Sequence, residues 1–194
     1  MKIVGLTGGI ATGKSTVSQM LAKRGYAIID ADAVVHDLQV KGSPLLQEIS
    51  SVFGSTILTE DGSLNRKALG QLIFADQTAR QQLNAIVHPA VWTEFQKRIA
   101  ESTADVLFLD VPLLFETGFD VLTDVNWVIS APVQVQLSRL MLRDGLTEKE
   151  AWARIDSQMA MHQKIERADV VIDNSGDLNE LEAKVNLFLG EILR

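Results

Sequence analysis

Two hydrophobic patterns alternate along the chain. The first is a set of short runs, apolar at nearly every position: KIVGL (2–6), YAIID (26–30), DVLFLDV (105–111), VNWVIS (125–130) and DVVID (169–173). They are too short for helices and read as strands buried on both faces. The second pattern repeats every three or four residues. Val17, Met20 and Leu21 follow it up to Gly25, which reads as a helix stop, and VQVQLSRLMLR (133–143) follows it again. Leu178, Leu181, Val185, Phe188 and Ile192 form a late stripe, read as core packing rather than as a binding face. Fully apolar strands alternating with helices predict an α/β fold, a parallel five-stranded sheet with helices on both faces. Residues 41–103 break the alternation with helical segments and a polar loop, TEDGSLNRK (59–67), and read as a helical insertion between the second and third strands.

The first strand runs straight into GGIATGKST. Gly8, Gly13, Lys14 and Ser15 match G-x-x-x-x-G-K-[ST], between a predicted strand and a predicted helix, which is the context that gives this motif meaning. Glycines let backbone N–H groups turn inward around phosphate oxygens, and the helix N-terminus adds partial positive charge. Residues Gly8, Gly9, Ile10, Ala11, Thr12, Gly13, Lys14, Ser15 and Thr16 are therefore candidates for a nucleoside triphosphate. Lys14 would reach the β- and γ-phosphates, the Ser15 hydroxyl would ligate Mg²⁺, and the Thr16 N–H would serve the α-phosphate.

Composition narrows the setting. The 194 residues carry a net charge of -7, which argues against broad nucleic-acid binding and makes local concentrations of cations informative. There is no cysteine, so disulfides, thiolate metal sites and cysteine nucleophiles are excluded. No apolar run reaches the roughly 20 residues of a membrane helix, and no leader pattern opens the chain, so a cytoplasmic location is the expectation.

A phosphate loop leaves kinases, GTPases and motor ATPases open. The nearest approach to a guanine-reading N-K-x-D is NSGD (174–177), with serine where lysine belongs, and no LSGGQ occurs. Asp30 and Asp32 follow the second strand, at the sheet edge where ligands of such folds collect. A carboxylate there can orient an acceptor hydroxyl and take its proton, while its neighbour caps the next helix. Arg139 and Arg143 are four apart on one helix face, and Arg154 follows a turn whose Thr147 and Glu150 have capping-box spacing. Three arginines clustered in an acidic chain suggest a lid that neutralises transition-state charge and excludes water. Alternatives are another small-metabolite kinase, shikimate- or nucleoside-kinase-like, and a slowly hydrolysing nucleotide switch.

GLTGGIATGKSTV, IDAD, LNAIVHP (83–89), VPLLFE (111–116), the QLSRLMLRDGLTEKEAWARIDSQ stretch and ADVVIDNSG (168–176) together make the chain resemble the dephospho-CoA kinase family, nearly end to end. Ala11-Thr12 stand where that family commonly has Gly-Ser, which bears on local loop geometry. The resemblance implies a P-loop kinase fold with a core of 1–40, 104–138 and 167–194, an acceptor-binding insertion of 41–103 and a lid of 139–166. It implies ATP-dependent phosphorylation of the ribose 3′-hydroxyl of dephospho-CoA, the last step of CoA synthesis, with Mg²⁺ as cofactor and no nucleic-acid or membrane partner. Asp32 becomes the candidate base, Lys14 the phosphate anchor, and Arg139 and Arg143 catalytic lid residues, with Arg154 beside them in nucleotide binding. Arg66, His88, Pro112 and Leu113, with Asp32, are the implied acceptor contacts, His88 being placed before a proline at a helix start. Asp110, at the end of the third strand, is a candidate for holding Mg²⁺ through water, and Asn174 is placed near the adenine.

Overall fold

The computed structural model describes residues 1–192. Five strands, β1 (Lys2–Gly8), β2 (Ala27–Asp30), β3 (Val106–Asp110), β4 (Val125–Ser130) and β5 (Val170–Asp173), make one sheet in the order β2-β3-β1-β4-β5. β1 runs parallel to β3, with Lys2 opposite Val106, and to β4, with Val4 opposite Val125; β4 runs parallel to β5, with Trp127 opposite Val170. Every predicted strand forms, because each run is apolar on both faces and only a covered parallel sheet can bury it. The helices are α1 (Lys14–Lys23), α2 (Ala31–Leu38), α3 (Pro44–Phe53), α4 (Arg66–Ala75), α5 (Gln77–Glu101), α6 (Val133–Asp144), α7 (Glu148–Asp156), α8 (Met161–Glu166) and α9 (Leu178–Ile192). The chain leaves β1 for the β2–β3 side first and reaches β4 and β5 only later. The C-terminal end of β1 is therefore a topological switch point, where open parallel sheets bind ligands.

The chain divides into two compact units, one of residues 1–29 with 103 onward, the other Asp30–Ser102. In the first, alternate strand residues line one sheet face: Val4 and Leu6, Val106 and Phe108, Trp127 and Ile129, and Ile172. They pack on Val17, Met20 and Leu21 of α1 and on Leu181, Val185 and Leu189 of α9. Trp127 meets Phe108 and Phe188 edge-on at 5.5 and 6.1 Å between ring centroids, an arrangement that favours aromatic quadrupoles. Helix α1 ends as Gly25 requires. That residue sits at φ 82°, its N–H donates to Ala22 O and the Tyr26 N–H donates to Leu21 O, a Schellman closure. One member of the late stripe departs from expectation: Leu178 opens α9 and is 59% exposed, because a helix's first turn lies beyond the face its later turns bury.

In the second unit Leu45, Leu46, Ile49, Ile57, Leu64, Leu69 and Leu83 form a separate core. Ser43 caps α3 by accepting from the Leu46 N–H, with Pro44 at the first helical position, and Asn65 caps α4 by accepting from the Ala68 N–H. The TEDGS turn is closed by a Leu58–Leu64 bridge and by Asp61, whose carboxyl is held down to about 2 by hydrogen bonds from Thr59 and Ser63. The unit starts with α2, which an Arg98–Asp37 ion pair of 2.9 Å ties to α5. His88 and Pro89 do not start a helix, contrary to expectation; they lie inside the 25-residue α5. Pro89 removes one N–H from the helical ladder, and helix on both sides carries the segment through. No helix among the described residues is long and apolar enough to cross a membrane.

Candidate functional site

The loop between β1 and α1 is held by one set of internal bonds and by two bonds from outside it. Gly9 O accepts from the Thr12 N–H at 3.2 Å and the Thr12 hydroxyl at 2.9 Å. Thr12 O accepts from the buried Asn174 amide at 2.8 Å, and the Ile10 N–H donates to Gln158 Oε1 at 2.9 Å. Among the described residues the N–H groups of Ala11, Gly13, Lys14 and Ser15 donate to nothing in the protein. Orphan amides gathered at a helix N-terminus are the elements of an anion cradle. The Thr16 N–H, expected to serve a phosphate, donates instead to Gly13 O at 3.0 Å.

Glycine is required at two points. A Cβ on Gly8 would stand 2.6 Å from Ile129 O, and Gly13 caps α1 at φ 95°. Ala11 also takes positive φ, at 60°, without being glycine, and packs against the cluster of Leu137, Leu140 and Ala151 in α6 and α7. This is where the Gly-to-Ala departure noted above takes effect.

Lys14 opens α1, and its ammonium pairs with Asp110, whose carboxylate is 3% exposed at the end of β3. The register of β1 with β3 sets these two beside one another, with Leu6 opposite Asp110. The Ser15 side chain is on the exposed side of the same first turn. A cavity of about 300 Å³ adjoins the loop, lined by Ala11, Gly13, Thr16, Arg139, Asn174 and Leu178. The exposed end of α9 thus contributes to a site wall rather than to the core.

The predicted arginines separate. Arg139 lines the cavity and has no ion pair among the described residues. Arg143 and Arg154 share Asp144 instead, each with a 2.7 Å contact to it. Arg143, then Arg154, holds the Asp144 carboxyl below its ordinary range, and Asp144 in turn raises Arg143. The Thr147–Glu150 capping box forms as the spacing predicts. Pro112 is fixed through its carbonyl, which accepts from the Thr7 hydroxyl at 3.0 Å and from the Lys164 ammonium at 3.1 Å, and Leu113 is 38% exposed.

The remaining predicted residues belong to the second unit. Asp30 caps α2 by accepting from the Asp32 and Ala33 N–H groups, which leaves the exposed Asp32 in the first turn. The two aspartates thus take separate positions, one as cap and one as first-turn carboxylate. Arg66 opens α4 and its guanidinium meets His36 Nδ1 at 2.8 Å, four residues on from Asp32. His88 stacks near Trp92 with ring centroids 6.4 Å apart.

The dephospho-CoA kinase family model matches residues 2–180. The chain belongs to the dephospho-CoA kinase family. A dephospho-CoA kinase of Symbiobacterium thermophilum is 47% identical over 188 residues, covering 95% of this chain and 79% of that one. A solved dephospho-CoA kinase of Campylobacter jejuni is 30% identical, with a TM-score of 0.75, covering 99% of this chain and 98% of that one. A second solved structure, from Thermus thermophilus, is 34% identical with a TM-score of 0.84, covering 98% and 97%. The fold expected of the family, a parallel α/β sheet with a phosphate loop at its switch point, is the fold observed.

Gln158, which bonds the loop, and Lys164 have no role of their own in the sequence reading, whereas Glu116, with which Lys164 pairs, lies in the VPLLFE run that was singled out. Lys164 is fully buried and pairs with Glu116 at 2.8 Å. Burial lowers its pKa, and Glu116 opposes that shift. No local pattern marks it, since MHQKIER reads as a solvated helix. Only the register of α8 against the 111–116 loop makes that lysine internal.

Proposed function

We propose that this chain is a cytoplasmic enzyme that transfers the γ-phosphoryl group of ATP to the ribose 3′-hydroxyl of dephospho-CoA, giving CoA and ADP. The observation that carries this is the four unpaired N–H groups and the Lys14 ammonium at the C-terminal end of β1, in a member of a family named for that reaction. The amides of Ala11, Gly13, Lys14 and Ser15 receive the polyphosphate, and Lys14 moves from Asp110 to its β- and γ-oxygens. The cavity walled by Asn174, Arg139 and Leu178 receives the base, one polar amide and one guanidinium beside apolar surface. Asp32 orients the acceptor hydroxyl and takes its proton as the new O–P bond forms and the bond to ADP breaks. Arg66 and His88 of the insertion, and Pro112 and Leu113 after β3, are kept as the acceptor-binding residues that the family resemblance implies.

The donor set suits a hard cation. The Ser15 hydroxyl and the Asp110 carboxylate are oxygen ligands of the kind Mg²⁺ takes, and phosphates and water complete such a shell. No cluster of three or more acidic, histidine or cysteine side chains able to hold a metal occurs among the described residues. Ser15 would bind it directly and Asp110 through water, and the ion would neutralise charge on the transferring group. Arg139, Arg143 and Arg154 would do the same from the protein side, the latter two after release from Asp144.

The test is a panel of acceptors with coupled ADP detection. Dephospho-CoA should accelerate ADP release by orders of magnitude, whereas shikimate and nucleosides should leave the basal rate unchanged. Stimulation by one of those acceptors and not by dephospho-CoA would replace this reading with the related kinase. Asp32→Asn should lower turnover at least about a hundredfold while ATP affinity stays within about twofold, as general-base contributions allow. Normal turnover in that variant would remove Asp32 from the mechanism.

A further inference from the structure

We propose that Gln158 is a positioning residue for the phosphate loop, and this rests on the reading of that loop as the ATP site. Ile10 and Gln158 are 148 positions apart, yet the Ile10 N–H donates to Gln158 Oε1 at 2.9 Å. Gln158 follows the end of α7, where its own N–H donates to Ile155 O at 3.2 Å. The next residue is anchored as well, since the Met159 N–H donates to Glu116 Oε1 at 3.0 Å. Glu116 is held by the fully buried Lys164 ammonium, which also donates to Pro112 O. The Gln158 amide therefore projects from a platform whose backbone is fixed on both sides.

Its effect on the loop follows from peptide geometry. A peptide unit is planar, so fixing its carbonyl and its N–H fixes its plane. Gly9 O is bound by two Thr12 donors and the Ile10 N–H by Gln158, so the Gly9–Ile10 peptide has both polar ends secured. Space on its other side is limited, because a Cβ on Gly9 would lie 2.7 Å from Gln136 Oε1, and Gln136 is buried and bonded to Ala131 O. With that peptide set, the chain enters Ala11 at φ 60° and presents its following amides together. Without the Gln158 acceptor the Ile10 N–H loses its partner among the described residues, the peptide can rotate, and the cradle must be organised at the expense of binding. A neutral amide is suited to this place, since a carboxylate would accept the same bond but set a negative charge against an anion site.

Two variants of the full chain separate this role from simple structural support. Gln158→Met keeps the size and removes the acceptor; Gln158→Glu keeps an acceptor and adds charge. Calorimetry with Mg-ATP should show Gln158→Met binding about tenfold more weakly, the scale of one lost hydrogen bond. Its KM for ATP should rise in parallel, with KM for dephospho-CoA within about twofold of wild type. Gln158→Glu should bind more weakly still at low salt, and its salt dependence should exceed that of Gln158→Met as screening removes the added repulsion. Wild-type Mg-ATP affinity in both variants would overturn the proposal, as would equal rises in both KM values accompanied by lower melting temperatures. Wild-type protein that fails to bind Mg-ATP would count against the ATP site itself, an outcome distinct from either.

Discussion

The Lys14 ammonium is already neutralised by Asp110, a carboxylate only 3% exposed, so a phosphate must compete for it. The competition is favourable because a triphosphate brings several negative oxygens, as well as a cation that takes over the charge balance of Asp110. Lys14→Ala should therefore lower kcat by about a hundredfold or more at saturating ATP, the scale of losing one preorganised charge contact. A wild-type rate would exclude the role. Ala11 gives a second prediction. Its left-handed conformation costs an L-residue roughly 1–2 kcal/mol, offset in part by its methyl packing against α6 and α7. Ala11→Gly should raise stability in urea by up to about 1 kcal/mol; a clear loss would mean the packing outweighs the strain. The loop's residue types were legible in the sequence, since motif and flanking elements agreed. The outward bonds that aim its amides were not, because Asn174 and Gln158 come from positions 162 and 148 residues away from their partners.

At the scale of elements, α7 depends on its start. Thr147 and Glu150 exchange side-chain and backbone bonds there, and the hydrogen bonds from Thr147 keep the Glu150 carboxyl below its ordinary range. The helix buries only Ala151 fully, so its cap is a large share of what holds it. Thr147→Ala should cost about 1 kcal/mol and speed amide exchange across Glu148–Asp156 while β1 and β4 exchange as before. Unchanged exchange in α7 would contradict this. The strands and the capping box were predictable because apolar runs and cap spacing are local signals. The interior position of Pro89 was not, because a proline after a polar residue looks like a helix start unless tertiary packing carries the helix past it. Leu178 misled in a similar way: helical spacing placed it on the stripe, but only the end of α9 decides which turns meet the sheet.

For the whole molecule, the net charge of -7 makes an anionic substrate unfavourable at long range, so affinity must come from local groups at short range. Binding to the folded state alone then stabilises it by linkage. Mg-ATP at a hundred times its Kd should add about 2.7 kcal/mol, a rise in melting temperature of roughly 5–11 °C for a chain of this size. Lys14→Ala at the same ligand concentration should show a smaller rise; equal shifts would place the triphosphate elsewhere. Family and fold were readable from sequence because the motifs are spread along nearly the whole chain, of which the family model matches residues 2–180. The most direct measurement of the central claim is the mass of dephospho-CoA after incubation with the protein and Mg-ATP. The expected result is a product heavier by one phosphate on the ribose 3′-oxygen, formed one-for-one with ADP. ADP released while dephospho-CoA keeps its mass would contradict it.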